Sequence, residues 1–137
     1  MNLTSSYPVL MTRDVASTSA FYREHLGFES TFETSWYVSL RSDVSELAIL
    51  DADHPTVPVG YGTPSAGVLI NLEVDDVDAV HQRLVVDGHF ETVRSLRSED
   101  FGQRHFIFAG PDDVLIDVIT PIEPSAEYAT AYDMPTT

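Results

Sequence analysis

The chain has no cysteine and no lysine. Without cysteine there is no disulfide, no thiolate nucleophile and no cysteine-ligated zinc or iron–sulfur centre. Without lysine there is no Schiff-base residue and no phosphate-loop lysine; all seven basic residues are arginines. Positive charge is scarce: 22 acidic residues leave a formal charge of −15. Such a surface repels nucleic acid, and suits either a cationic ligand or simple solubility. No apolar run reaches the roughly 18 residues of a spanning helix. The start, MNLTSSYPV, has neither the basic nor the apolar part of a secretory signal. No glycine-rich phosphate loop or nucleophile elbow is present. The expectation is a soluble cytoplasmic protein with neither nucleic acid nor a membrane as partner.

What is there is a repeat. The 137 residues, 43% of them hydrophobic, suffice for one domain or for two small, similar halves. Tyr7–Glu29, YPVLMTRDVASTSAFYREHLGFE, lies over Leu69–Glu91, LINLEVDDVDAVHQRLVVDGHFE, at an offset of 62. Leu10 falls on Leu72, Asp14 on Asp76, Val15 on Val77 and Phe28 on Phe90. Each segment reads as strand, acidic turn, helix, glycine, strand. Asp14 and Asp76 stand where a carboxylate caps free backbone N–H groups. Ser17, Ala20, Phe21 and Leu26 form the expected inner stripe of the first helix; Val77, Val80, Leu84 and Val85 form that of the second. Gly27 and Gly88, one position out of register, suit left-handed helix stops.

Three further strands follow each helix, about Phe28–Glu33, Trp36–Arg41 and Glu46–Leu50, then Phe90–Leu96, Arg104–Ala109 and Val114–Thr120. Here the offset grows to 69, which sets Ala48 on Asp117 and Trp36–Tyr37 on His105–Phe106 and implies a longer loop near Ser98–Gly102. The organisation is a βαβββ module over 1–50, a linker over 51–66 with three prolines, a second module over 67–122, and a partly disordered tail over 123–137 that Tyr128 and Tyr132 could dock. The fold class is α+β: the two modules join their sheets into a curved mixed trough with helices outside, and the uncovered face is the ligand cavity.

The strings RDVASTSAFYREHLGFE, LEVDDVDAVHQRL and FGQRHFIFAGPDDVLIDVITPI resemble the vicinal oxygen chelate superfamily. It holds glyoxalase I, extradiol dioxygenases, epimerases, fosfomycin-resistance transferases and bleomycin-resistance binding proteins. The resemblance covers Tyr7 to Ile122 and implies the fold more firmly than the chemistry. Metal-binding members take ligands from the first and last strand of each module. Those places read Tyr7, Ala48, Leu69 and Asp117 here. Alanine and leucine have no donor atoms, and a phenol must first lose a proton with a pKa near roughly 10. The resemblance therefore implies no divalent metal and no other cofactor; an unorthodox oxygen-rich set of Asn71, Glu73 and Asp117 is the exception to test.

Strand alternation gives the trough its candidate ligand-binding residues: Tyr7, Met11, Trp36, Tyr37, Asn71, Glu73, Arg104, His105, Phe106 and Asp117. For the middle strands it leaves open whether Trp36 or Tyr37, and Arg104 with Phe106 or His105, turn to the cavity. Asp117 and Glu73 would hold a cation and the rings would stack it; the alternative is that Arg104 neutralises Asp117 within the fold. His105 is the best acid–base candidate, but no catalytic residue is assigned. The resemblance points to the bleomycin-resistance branch: a homodimer binding a small cationic and aromatic molecule without metal, with resistance by sequestration. The alternatives are a lyase, isomerase or dioxygenase with an atypical metal site or metal-free acid–base chemistry, and an interaction module without chemistry.

Overall fold

A computed structural model describes residues 1–132. The chain divides into two compact units, Met1–Gly67 and Val68–Thr137. The first runs β1 (Val9–Thr12), α1 (Val15–Leu26), β2 (Glu29–Glu33), β3 (Tyr37–Arg41) and β4 (Glu46–Asp51). The second runs β5 (Leu69–Glu73), α2 (Val77–His81, continued by a π-helical turn to Asp87), β6 (Thr92–Glu99), β7 (Gln103–Ala109) and β8 (Leu115–Pro121), then α3 (Ala126–Tyr132). Strand orders are β1-β4-β3-β2 and β5-β8-β7-β6. Each sheet has one parallel pair, β1 with β4 or β5 with β8, and otherwise antiparallel pairs. Among the described residues no helix is long and apolar enough to cross a membrane.

The repeat is borne out down to single bonds. Asp14 accepts from Ser17 N–H and Asp76 from Ala79 N–H, the same cap in each unit. Phe28 N–H donates to Tyr22 O and Phe90 N–H to Leu84 O, the same helix end.

Four expectations need correction. The inner side of α1 is Val15, Thr18, Ser19 and Tyr22, not Ser17, Ala20, Phe21 and Leu26. The two hydroxyls hid it: Thr18 is buried because its Oγ1 lies 3.1 Å from Thr12 Oγ1 on the sheet, and Ser19 Oγ donates to Ala16 O, so neither is left unsatisfied. Gly27 takes the left-handed conformation (φ 74°), but Gly88 does not. The left-handed place follows the offset of 62 and falls on His89 (φ 62°). Gly88 is small for another reason, since a Cβ there would meet Leu84 O at 2.6 Å.

The residues assigned to a longer loop instead lengthen the β6–β7 hairpin, which turns tightly at Asp100–Gly102. Ala48 and Asp117 do correspond, being paired with Val9 and Asn71. In the middle strands, however, Tyr37 corresponds to His105, because Tyr37 faces Leu50 as His105 faces Ile119. The β7–β8 turn over 110–114 is one residue longer than the β3–β4 turn over 42–45, which accounts for the slip. In the tail the docking expected of Tyr128 and Tyr132 is borne out: Ala126–Tyr132 is helical, Tyr132 Oη donates to Phe101 O and Tyr128 packs on the Phe101 ring. Of the tail read as partly disordered, residues 133–137 lie outside the described residues.

In both units the sheet packs α1 or α2 on one face. Leu10, Val38, Leu40 and Ile49 are buried in the first, and Phe106, Phe108, Ile116 and Val118 in the second.

Candidate functional site

The face of the second sheet turned away from α2 is read from its register. Asn71, Asp117 and Ile107 form one row across β5, β8 and β7; Glu73, Ile119 and His105 form the next. Paired residues point to the same side. Phe106 belongs to the opposite face, where its ring meets His81 of α2 at 5.1 Å and it is fully buried. Arg104 also reaches back to α2, with Nε 3.0 Å and Nη2 2.8 Å from the carboxylate of Asp78. The pairing of Arg104 with Asp117 considered from the sequence is thereby corrected. Asp78 is held below the usual carboxylate range, first by its hydrogen bonds from Arg104.

Asp117 has a different partner. His105 Nδ1 lies 2.8 Å from Asp117 Oδ1, and His105 Nε2 lies 3.0 Å from Glu99 Oε2. Arg94 donates to that Glu99 oxygen from Nε at 2.8 Å and Nη2 at 2.5 Å. His105 and Asp117 are only 4% and 6% exposed. Each ring nitrogen of His105 thus faces one carboxylate oxygen. Asp117, His105, Glu99 and Arg94 form a hydrogen-bonded chain from the sheet interior to the surface. This removes the cost of burying an unpaired charge on β8. Glu99 is held below its ordinary carboxyl value, first by the hydrogen bond from His105, then by that from Arg94.

The chain is covered from one side. The Phe101 ring packs edge-on against His105 at 6.2 Å, and Tyr128 of α3 packs against Phe101 at 6.3 Å. Chemically, an imidazole with both nitrogens engaged is a tie between β6, β7 and β8, not a base free to take a substrate proton.

The first unit presents other chemistry at matching positions. Where the second has Asn71, Glu73, His105 and Asp117, the first has Val9, Met11, Tyr37 and Ala48. Burial pushes the Tyr37 phenol up from its usual 10.0, and the neighbouring Tyr7 adds to this, so the phenol keeps its proton at neutral pH. Tyr7 itself precedes β1 and is half exposed. Trp36 precedes β3 and stacks on His54 at 3.8 Å with the rings nearly parallel.

Of the sequence-selected residues, the second unit brings together Asn71, Glu73, His105 and Asp117 on one face, and the first brings together Met11 and Tyr37 beside Tyr7. Arg104 and Phe106 lie on the helix side. Glu99, Arg94 and Phe101 were missed. The signal for Glu99 was a tight hairpin at Asp100–Gly102, which sets Glu99 across from Gln103 and close to His105.

These positions also test a metal site. Ala48 and Leu69 offer no donor atom, and one of the two Asp117 oxygens, Oδ1, is hydrogen-bonded to His105. Asn71 sits directly opposite Asp117, but Glu73 lies opposite Ile119, one row away. Among the described residues no group of three or more His, Cys, Asp or Glu is arranged to hold a metal ion.

A family model, Glyoxalase/Bleomycin resistance protein/Dioxygenase superfamily, matches residues 4–118. The chain belongs to this superfamily. Solved structures share the fold. The lactoylglutathione lyase from Agrobacterium tumefaciens superposes with a TM-score of 0.69 at 15% identity, over 88% of this chain and 96% of that one. A glyoxalase/bleomycin resistance protein/dioxygenase from Nocardioides gives 0.72 at 21% identity, over 90% and 86%. A protein of unknown function from Agrobacterium tumefaciens str. C58 gives 0.68 at 25% identity, over 89% and 97%. No curated protein sequence matches the chain. This member of the glyoxalase superfamily thus keeps the doubled βαβββ fold, with a carboxylate–imidazole–carboxylate chain in its second unit.

Proposed function

We propose that the protein binds a small aromatic molecule without a metal ion and acts by sequestration, in the manner of the bleomycin-resistance branch. One observation carries this reading. The single carboxylate left at a family ligand position, Asp117, is bonded to His105, while Ala48 and Leu69 have no donor atoms. Aromatic side chains beside the sheets, Tyr7, Trp36 and Tyr37 among them, favour a planar ligand. A homodimer belongs to the reading through the family resemblance, and the acidic composition fits a cytoplasmic protein kept soluble by charge.

The test is a thermal-shift screen of the metal-free protein against planar ligands, cationic and neutral. Binding predicts a rise in the melting temperature by at least one ligand, unchanged by a chelator. A panel without any shift, or a shift abolished by the chelator, contradicts the reading.

A further inference from the structure

The segment between the two modules is not a plain connector. Its start is fixed by Asp51 N–H to Trp36 O and Ala52 N–H to Thr12 O, both at 2.9 Å. Its end is fixed at Ser65, whose N–H donates to Met11 O at 2.9 Å while Met11 N–H donates to Ser65 Oγ at 3.0 Å. Near the start, His54 stacks on Trp36 and its Nδ1 lies 2.9 Å from Thr56 Oγ1. A loop tied at both ends and packed by its own side chains is a defined structure, of the kind that often carries function.

Between its anchors the loop arches over the face of the first sheet turned away from α1. Between loop and sheet is an open hollow of about 280 Å³. Val9, Met11 and Leu50 form the floor; Thr56, Val57, Pro58 and Tyr61 form the wall. None of these side chains is charged. In the second unit the positions of Val9 and Met11 are held by Asn71 and Glu73. At these positions the repeat is polar in one unit and apolar, walled by its own loop, in the other. A charged ligand would gain no charged partner from this lining, whereas an apolar one covers apolar surface. The volume lies just under the roughly 300–1,000 Å³ of drug-sized pockets, which limits the occupant to a small molecule.

We infer that the hollow under the 51–65 loop is a binding site, complete within the first unit, for a small uncharged aromatic molecule. This rests on the small-molecule reading above and narrows it: the ligand is neutral, and Asp117 is not its anchor. The chain has one tryptophan, and Trp36 stacks against the start of this loop, so it reports on the site.

The experiment uses the full chain, with pyrene as neutral probe and ethidium as cationic probe. Saturable pyrene binding is expected, with energy transfer from Trp36. Val57→Arg, which puts a charge into the wall, weakens binding at least tenfold, while Val57→Leu and Val44→Arg, the latter at an exposed position outside the hollow, leave it within about twofold; circular dichroism confirms that each variant is folded. Pyrene binding that survives Val57→Arg overturns this site but leaves the small-molecule reading standing. Tighter binding of ethidium than of pyrene, with displacement of pyrene, overturns the neutral-ligand inference. Absence of pyrene binding also overturns it, and the ligand panel above then decides the broader reading separately.

Discussion

At the scale of single residues, the organising feature of the second unit is one imidazole between two carboxylates. His105 and Asp117 are buried together, and removal of either leaves the other without its partner. Breaking such a pair costs on the order of 3–5 kcal/mol, whereas replacing both members with apolar groups is often nearly neutral. His105→Ala and Asp117→Ala are each expected to cost that much in urea unfolding, and His105→Phe with Asp117→Leu to recover most of the loss. A double variant as unstable as the sum of two losses would mean that the pair is not the connection. The carboxylate itself was legible in the sequence, because a charge within Leu115–Ile119 demands a partner. The partner was not. His105 and Arg104 are adjacent on β7 and point to opposite faces, so the choice between them turned on strand parity. That parity depends on one extra residue in the β7–β8 turn, and a turn over 110–114 with left-handed Asp112 and Asp113 has no simple sequence signature.

At the scale of elements, the caps and helix ends repeat more faithfully than the residues that make them. His89 occupies a left-handed place that Gly27 fills in the first unit. A side chain there is strained by about 1–2 kcal/mol, partly offset by the extra freedom glycine gives the unfolded chain. His89→Gly should therefore stabilise the protein by about 0.5–1 kcal/mol in urea unfolding; a loss of stability would show that the imidazole makes a contact worth more than the strain. Order and type of all eight strands were legible from alternation, and both N-caps from a single aspartate. The inner side of α1 was not, because Thr18 and Ser19 are buried through hydroxyl bonds, which a hydrophobic stripe does not register.

The tie across β6, β7 and β8 also sets a pH dependence. Glu99 has its folded pKa lowered from the ordinary 4.5, first by the His105 hydrogen bond and then by that of Arg94. A lowered carboxyl contributes stability above its unfolded value and loses it as pH falls through the folded one. Acidification below about pH 4.5 should thus destabilise the native protein, and Glu99→Gln should make that acid limb shallower. Asp78, lowered by Arg104, adds to the same limb, so some slope remains in the variant. An unchanged limb in Glu99→Gln would place the stabilising proton linkage elsewhere.

At the scale of the whole molecule, two copies of one module have diverged in chemistry while keeping one topology. The second unit spends its polar residues on an internal tie; the first keeps an apolar face under an anchored loop. A divalent ion needs several oxygen or nitrogen donors converging on a point, and the metal-independent reading proposed above rests on Ala48 and Leu69 offering none. The doubled module and its family were legible from sequence because the offset of 62 and the paired aspartates survive. The loop site was not, since three prolines and two glycines read as a linker, and only the bonds to Thr12, Trp36 and Met11 reveal that it folds back. The most direct measurement is the metal content of the purified, untagged protein, taken with thermal shifts in nickel, zinc, manganese and iron(II). Metal-independent binding predicts substoichiometric metal and no shift, in the native chain and in Asp117→Ala alike. Near-stoichiometric metal that Asp117→Ala releases would contradict it.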